Sequence, residues 1–199
     1  GTYEMDFDNL QRVADDKCKL LILCNPHNPA GVCWSRETLV RLADFCRERN
    51  IIVISDEIHC DMAIFGHKHI PFASVSEAAR ENSITFQAPT KTFNIAGLIS
   101  SYAIVPNEQI RAKFYRWLQA NEMDEATLFA PIATIAAFEN GEEWRRHMLE
   151  YVEDNVRFVE DYCRENIKGI RPWRPQASFL VWLDCRELNL SHDGLLDLF

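Results

Sequence analysis

The sequence lacks an excess of basic residues, and it lacks any apolar run long enough to span a bilayer. Its formal net charge is −9 at pH 7, which argues against a broad electrostatic surface for nucleic acid or anionic lipid. The longest nearly apolar stretch, 128–138, contains Pro131 and is shorter than the roughly 20 residues that a membrane-spanning helix needs. We therefore expect a buried helix there. We also expect the partner to be a small molecule or a protein, with no nucleic acid and no membrane.

Closely spaced cysteine pairs are absent as well. The seven cysteines, at positions 18, 24, 33, 46, 60, 163 and 185, include no Cys-x-x-Cys pair. Cys24 lies inside an apolar run, where a buried free thiol is common. This pattern indicates a reducing compartment, and we expect a cytoplasmic protein.

The first half of the chain alternates apolar strands with an amphipathic helix. Leu20–Cys24 and Ile51–Ile54 are continuous apolar runs, as expected of strands that helices bury on both faces. Between them Ser35 is a suitable helix cap, and apolar residues follow at helical spacing: Leu39, Leu42, Ala43 and Cys46. The order strand, helix, strand predicts a parallel crossover unit, and with it a three-layer α/β/α fold with a mostly parallel sheet.

The second half predicts further strands and a long helix. The expected strands cover Ser83–Gln87, Ile99–Val105 and Ser178–Leu183. An amphipathic pattern from about Glu142 to Asn166 predicts a helix on the order of 35 Å long, which is more than one small core usually requires.

The long helix suggests two domains. We expect residues 1–166 to be part of a large domain that includes the linking helix, and residues 167–199 to be the start of a smaller α+β domain. A new helix begins near Ser191, a few residues before the last residue, Phe199. We therefore expect the chain to be a central fragment of a longer protein.

Three polar stretches follow predicted strands. They are Asn25–Gly31, Ser55–His59 and Thr90–Leu98. In an open α/β sheet, ligands bind outside the carboxyl ends of the strands, so an amide, a carboxylate and a lysine could converge there on one small molecule.

Taken singly, these residues have ordinary explanations. An aspartate just past a strand often only caps the following turn, and a lone histidine is more often a satisfied core or surface group than a ligand. An apolar strand that ends in Asp-Glu-x-His also occurs in nucleotide-driven motors. Such a motor needs a phosphate loop, and no G-x-x-x-x-G-K-[ST] motif occurs in these residues, although a longer chain could hold one before Gly1.

A metal site is the other alternative. Its ligands would come from His59, Asp61, His67 and His69, but no His-Glu-x-x-His or similarly constrained spacing supports it. Neither the motor nor the metal hypothesis is favoured, and we expect no metal.

Taken together, the three stretches resemble a known family. Asn-Pro-His-Asn-Pro-Ala-Gly, Ser-Asp-Glu-Ile-His and Thr-Lys-Thr-Phe-Asn-Ile-Ala-Gly-Leu resemble, in this order and spacing, motifs of fold type I pyridoxal 5′-phosphate (PLP) enzymes of aminotransferase class I/II. His59 and the run after Lys91 are most similar to the cystathionine β-lyase (carbon–sulfur lyase) branch. The resemblance covers nearly the whole chain and implies the large domain of a PLP-dependent transferase-like fold, PLP as cofactor, an amino-acid substrate and a homodimer.

The resemblance also implies roles for single residues. Lys91 would bind the cofactor aldehyde covalently as the catalytic residue, and Asp56 would accept the pyridine N–H. Asn28 and His59 would hydrogen-bond the 3′ oxygen. The other two cofactor-binding candidates are Ile58, packed on the ring or simply in the core, and Thr90, a phosphate ligand or an ordinary turn threonine.

Two positions depart from the common aminotransferase pattern. Many of those enzymes have a serine three residues before the lysine and an arginine eight residues after it, where this chain has Ala88 and Ile99. This favours a carbon–sulfur lyase, which releases pyruvate, ammonia and a thiol from a sulfur amino acid. An aminotransferase is the close alternative, and a non-catalytic regulatory protein on the same fold is a distant one. The phosphate loop, the ring-stacking aromatic and the arginine for the substrate carboxylate are expected outside this chain.

Overall fold

A computed structural model of the protein describes residues 3–199. The first two residues of the predicted large domain, 1–166, lie outside the described part. The α-helices are α1 (Phe7–Val13), α2 (Arg36–Glu48), α3 (Glu77–Glu81), α4 (Pro89–Thr92), α5 (Glu108–Ala120), α6 (Phe129–Asn140), α7 (Glu142–Asn166) and α8 (His192–Leu196). The strands are β1 (Leu20–Cys24), β2 (Ile52–Asp56), β3 (Ser83–Gln87), β4 (Tyr102–Ile104), β5 (Arg171–Trp173) and β6 (Trp182–Asp184).

The main sheet has four strands in the order β1-β2-β3-β4. The first three are parallel, and β4 is antiparallel to β3. The register pairs Cys24 with Asp56, and Asp56 with Phe86. The carboxyl ends of β1, β2 and β3 therefore meet at one edge of the sheet, and the predicted α/β class with a mostly parallel sheet is confirmed.

Helices α2 and α5 each begin directly after a residue whose side chain caps them. The hydroxyl of Ser35 accepts a hydrogen bond from the backbone N–H of Thr38 at 3.1 Å, and Asn107 caps α5 in the same way. Such caps satisfy backbone donors that the first helical turn leaves free.

The core lies between α2, α3 and one face of β1 and β2. Its fully buried cluster contains Leu23, Leu39, Leu42, Ala43, Cys46, Ile51, Val53, Phe72, Ala78 and Ala79. The four helical positions predicted from spacing, Leu39, Leu42, Ala43 and Cys46, are all in this cluster. Burying a leucine of this kind contributes about 1.5–3 kcal/mol, so α2 is held mainly by its apolar face.

The burial of β1 on both faces was a wrong prediction. Leu20 and Ile22 are 56% and 75% exposed, whereas Leu23 is buried. The face of β1 that carries Leu23 packs on the core, whereas the face that carries Ile22 is open among residues 3–199. An apolar run cannot by itself report how many of its faces are covered.

Two other predicted strands are shorter than expected. The fourth strand covers only 102–104 instead of 99–105, because Ile99 adopts a left-handed backbone conformation with φ 49° that a strand cannot contain. The strand predicted over 178–183 covers only 182–184, and Ser178 also has a positive φ of 75°.

The long helix α7 has the predicted bounds, 142–166. It buries Val156 and Cys163 and leads into the two-stranded antiparallel sheet of β5 and β6. The boundary between two domains at 166 and 167 stays a prediction.

In the part of the chain that the structure describes, no helix combines the length and the apolar character needed to cross a membrane. The stretch 128–138 falls mostly in α6, and its large side chains are exposed rather than buried as expected, Leu128 at 77% for example.

Candidate active site

The loop after β1 is held to the sheet by backbone and thiol contacts. The backbone N–H of Asn25 donates to the carbonyl of Asp56 at 2.9 Å, which extends the β1–β2 ladder by one residue. The backbone N–H of Asn28 donates to Sγ of Cys24 at 3.2 Å, and the thiol in turn lies 3.4 Å from the carbonyl of Pro26. Partial burial raises the pKa of Cys24, so the thiol stays protonated and acts as a structural group. The Asn28 side chain is left exposed at the sheet edge.

Gly31 closes this loop in a conformation that needs glycine. Its φ is +65°, and a Cβ added there would overlap the Cβ of Pro175. Its N–H donates to the carbonyl of His27 at 2.7 Å, and its carbonyl accepts from the N–H of Gln176 at 2.6 Å. The loop is therefore fixed both to itself and to a segment far along the chain.

Asp56 ends β2 with its carboxylate half-exposed on one face of the sheet. Its Oδ1 accepts the backbone N–H of Ile58 at 3.3 Å, which is the turn cap expected of an aspartate after a strand. That single long bond leaves most of the carboxylate's acceptor capacity for another group.

His59 follows Asp56 by three residues and is buried, with 3% of its surface exposed. Burial lowers the pKa of His59 below its ordinary value of 6.5; the Asp56 carboxylate opposes this shift and the Lys91 ammonium adds to it. The imidazole is therefore neutral at pH 7. Asp56 and Lys91 lie close enough to His59 to act on it electrostatically, although they follow different strands.

Asn28 and His59 are brought together. The Asn28 Nδ2 lies 3.4 Å from Nε2 of His59. Nδ1 of His59 is buried and has no hydrogen-bond partner among the described residues. One long contact and one unpaired nitrogen leave both side chains able to bind a further polar group.

Lys91 lies on the short helix α4, directly after β3. Pro89 takes the first helical position, where its missing N–H costs nothing. The Lys91 side chain is exposed, and Thr90 beside it is half-buried. The backbone N–H of Ile95 donates to the carbonyl of Thr90 at 3.1 Å, which turns the chain back after the lysine.

The remaining predicted residues lie as follows. Ile58 is half-buried, which suits either packing role. Ala88 is buried at 6% exposure, whereas Ile99 is 79% exposed in its left-handed conformation. A β-branched residue rarely adopts this conformation. Asn28, Asp56, His59 and Lys91 thus share one edge of the sheet, while Ile99 points into solvent.

Sequence inspection missed a segment near the C-terminus that reaches this edge. Ala177 pairs with Ala63, and the N–H of Ser178 donates to the carbonyl of Met62 at 2.9 Å. The ring of Phe179 lies 5.8 Å from that of His59. The run Ser178–Leu183 looked like an ordinary strand, and no local signal shows that its first residues pack between two site loops.

Glu57 was also missed, although its place in the pattern was visible. Val53, Ser55 and Glu57 are the buried positions of an alternating strand, and Glu57 has no exposed surface. A carboxylate at a position that the alternation of the strand predicts to be buried is the signal that could have identified Glu57.

The side chains at this edge fit a known organic cofactor better than a metal. Among residues 3–199, no group of three or more His, Cys, Asp or Glu could hold a metal ion. An amine, a carboxylate with free acceptor capacity, an amide and a neutral imidazole correspond to the groups that PLP needs at its aldehyde, its ring nitrogen and its ring oxygen. The residues present therefore fit PLP, except that its phosphate finds only Thr90 among the predicted residues.

Comparison with known proteins gives consistent results. The model of the family aminotransferase class I and II matches residues 1–197. Cystathionine beta-lyase PatB of Bacillus subtilis is 43% identical over 192 residues, covering 96% of this chain and 50% of the relative. The chain spans about half the length of the curated relatives it matches.

Solved structures agree with the fold in detail. A PLP-bound structure from Clostridium difficile 630, described only provisionally as an aminotransferase, is 40% identical with a TM-score of 0.95, covering 100% of this chain and 51% of its own. Cystalysin from Treponema denticola, which contains a PLP cofactor, is 31% identical with a TM-score of 0.94, covering 98% of this chain and 50% of its own.

Proposed function

The chain belongs to the family of class I and II aminotransferases, and from this premise we propose that it is the central part of a PLP-dependent carbon–sulfur β-lyase. The enzyme would release pyruvate, ammonia and a thiol from a sulfur amino acid. The observation that carries this proposal is that Asn28, Asp56, His59 and Lys91 share one site. The Asn28 amide lies 3.4 Å from the His59 ring, and the charges of Asp56 and Lys91 act on the pKa of His59. The 43% identity to a cystathionine beta-lyase supports the lyase branch.

When bound, PLP supplies the electron sink for the reaction. Lys91 would bind its aldehyde covalently through Nζ, and Asp56 would hold a proton on the pyridine nitrogen. Asn28 and the neutral His59 would hydrogen-bond the 3′ oxygen. Ile58 would pack on one face of the ring, and Thr90 would contribute its hydroxyl to the phosphate.

Lys91 has a second task in this proposal. Its Nζ amine could also take the proton from the substrate α-carbon. The exposed position of Lys91 leaves its side chain free to move between the two tasks. His59, whose pKa burial lowers, places no second positive charge beside the lysine at pH 7.

The lyase outcome depends on the leaving group. A thiolate leaves readily because the pKa of its conjugate acid is about 8.5. Elimination then needs mainly the correct orientation of the carbon–sulfur bond, which binding in a fixed pose supplies. This is the physical reason to prefer elimination for a sulfur-containing substrate.

An aminotransferase is the second candidate, favoured by the family itself and by the provisional description of one structural neighbour. Both candidates imply a homodimer in the cytoplasm with an amino-acid substrate. They also share the two-domain organisation, with the large domain ending at 166 and the small domain starting at 167.

The distinguishing experiment uses the full-length protein with PLP and cystathionine, without any keto acid. The lyase proposal predicts that pyruvate, ammonia and thiol accumulate over many turnovers. Product that stops at one equivalent per site, and resumes only after a keto acid is added, would identify an aminotransferase instead.

A further inference from the structure

Glu57 directly follows β2 and continues its pairing with β3 through its backbone N–H, and its buried side chain lies on the face of the sheet opposite Asp56. It has no exposed surface, and neighbouring side chains along a strand alternate between the two faces of the sheet. A carboxylate at this depth needs several hydrogen-bond donors to offset the loss of water.

The structure places five polar partners around the carboxylate. Oε1 of Glu57 accepts from the Ser55 hydroxyl at 2.8 Å and from the backbone N–H of Phe72 at 2.8 Å. Oε2 lies 2.8 Å from Nε2 of His69. Two longer contacts, each of 3.5 Å, come from the side-chain amides of Asn25 and Gln87.

Asn25, Glu57 and Gln87 lie at the ends of three different strands. Asn25 directly follows β1, Glu57 directly follows β2, and Gln87 is the last residue of β3. Gln87 also accepts from the Tyr102 hydroxyl of β4 at 2.9 Å, which extends the hydrogen-bonded chain across the whole sheet edge. Asn25 further donates to the carbonyl of Ile70 at 2.9 Å, so the loop after His59 is tied in as well.

The two 3.5 Å contacts of Glu57 reach the residues at the ends of β1 and β3, and together with the end of β2 these strand ends carry the site. Asn28 is three residues after Asn25, Asp56 is adjacent to Glu57, and Lys91 is four residues after Gln87. The Glu57 carboxylate thus lies behind the strand ends whose side chains form the candidate site in front.

We propose that Glu57 is the positioning residue of this site. It holds the strand ends in the register that lets Asn28, Asp56 and Lys91 act on one cofactor. This inference rests on the proposed function, because it assigns a role toward PLP. Glu57 itself touches neither cofactor nor substrate.

The consequence of removing the carboxylate follows from its partners. Glu57→Ala leaves the Phe72 N–H, the Ser55 hydroxyl and the His69 ring without their acceptor in a dry interior. Glu57→Gln keeps the shape and one acceptor oxygen. His69 can also accept from the new amide, because Nδ1 has no hydrogen-bond partner among residues 3–199 and can carry the ring proton instead.

The test compares four full-length proteins: wild type, E57A, E57Q and V156A. Val156 is buried on α7 and has no part in the site, so V156A controls for a general loss of stability. The readouts are the Kd for PLP in titrations of apoprotein, the absorbance and circular dichroism of the bound cofactor, kcat, and Tm. Wild type establishes first whether PLP binds.

We expect E57A to raise the Kd for PLP and to lower kcat, each by about tenfold, because small displacements of reacting groups are costly. The circular dichroism of the bound cofactor should change as well. E57Q should recover most of the loss, and V156A should lower Tm without changing Kd or the spectrum. If E57A does not fold, His69→Ala removes one close partner of the carboxylate and should raise the Kd for PLP above that of V156A.

The positioning role would be overturned if E57A, or H69A in its place, had the same Kd, spectrum and kcat as V156A. The proposed function would remain intact in that case. A wild-type protein that binds no PLP would overturn the proposed function and this inference with it.

Discussion

The side-chain amide of Asn28 lies 3.4 Å from Nε2 of His59, although 31 residues separate them in the chain. The contact exists because β1 and β2 are parallel and in register, with Cys24 opposite Asp56, so that the loops after both strands start at the same edge. Neither loop could place its side chain there alone. An amide and a neutral imidazole held together in this way can both bind one oxygen of a ligand.

The burial of His59 predicts a pH dependence of stability. Its lowered pKa means that the folded protein binds fewer protons than the unfolded chain below about pH 6.5. His59 therefore does not reduce the free energy of unfolding above that pH. The free energy of unfolding decreases as the pH falls from there toward the lowered pKa. We expect His59→Asn to reduce the drop in Tm between pH 7.5 and pH 5.5, measured on the full-length apoprotein.

Two features make this measurement specific. The pKa of His27 is also lowered by burial, but His27 is present in both proteins and its effect cancels in the comparison. His147→Asn, at an exposed position on α7, serves as the matched control. An equal drop in Tm for wild type and H59N would mean that His59 does not contribute.

Asp56→Asn should leave the fold intact and lower kcat strongly. An asparagine oxygen can still accept the N–H of Ile58, so the turn after β2 is preserved. An amide cannot hold a positive charge on the pyridine nitrogen as a carboxylate does, and we expect kcat to fall roughly 100-fold at saturating PLP. Asp44→Asn, on the exposed side of α2, makes the same charge change away from the site. Activity of D56N within a few-fold of D44N would remove Asp56 from this role.

Gly31→Ala should destabilise the protein and weaken PLP binding together. The left-handed φ of +65° costs an alanine about 1–2 kcal/mol, and the added Cβ also overlaps Pro175. Because Gly31 closes the loop that carries Asn28, the loop must shift to relieve the overlap. Thermal unfolding and a PLP titration would measure both effects.

Gly97→Ala is the matched control for that prediction. Gly97 has no positive φ, and a Cβ there would meet nothing within 4 Å. We expect its Tm to stay close to that of wild type. A G31A protein as stable as G97A would show that the packing of the loop against Pro175 is not required.

Local patterns in the sequence predicted the elements that depend on local physics. The helix over 142–166 has the predicted bounds because its apolar spacing is regular over many turns. The ends of β1 and β3 match because the prolines two residues later, Pro26 and Pro89, have no N–H with which to continue the ladders. The strand ends in turn predicted where the polar side chains would meet.

Features that depend on distant parts of the chain could not be predicted. The exposure of Ile22 depends on which neighbours cover its face of the sheet, and an apolar run contains no such information. Phe179 reaches His59 only because 175–178 is clamped between two loops more than a hundred residues earlier. The partners of Glu57 are likewise spread from position 25 to position 87.

The central claim is that Lys91 binds the cofactor at the edge shared with Asn28, Asp56 and His59. Reducing the full-length holoenzyme with borohydride and mapping the peptides by mass spectrometry tests it most directly. Because the Lys91 amine would be joined to the cofactor aldehyde, reduction should fix the cofactor mass on the peptide that contains Lys91. A cofactor mass on Lys68 or Lys113 instead, with Lys91 unmodified, would contradict the assignment of the site.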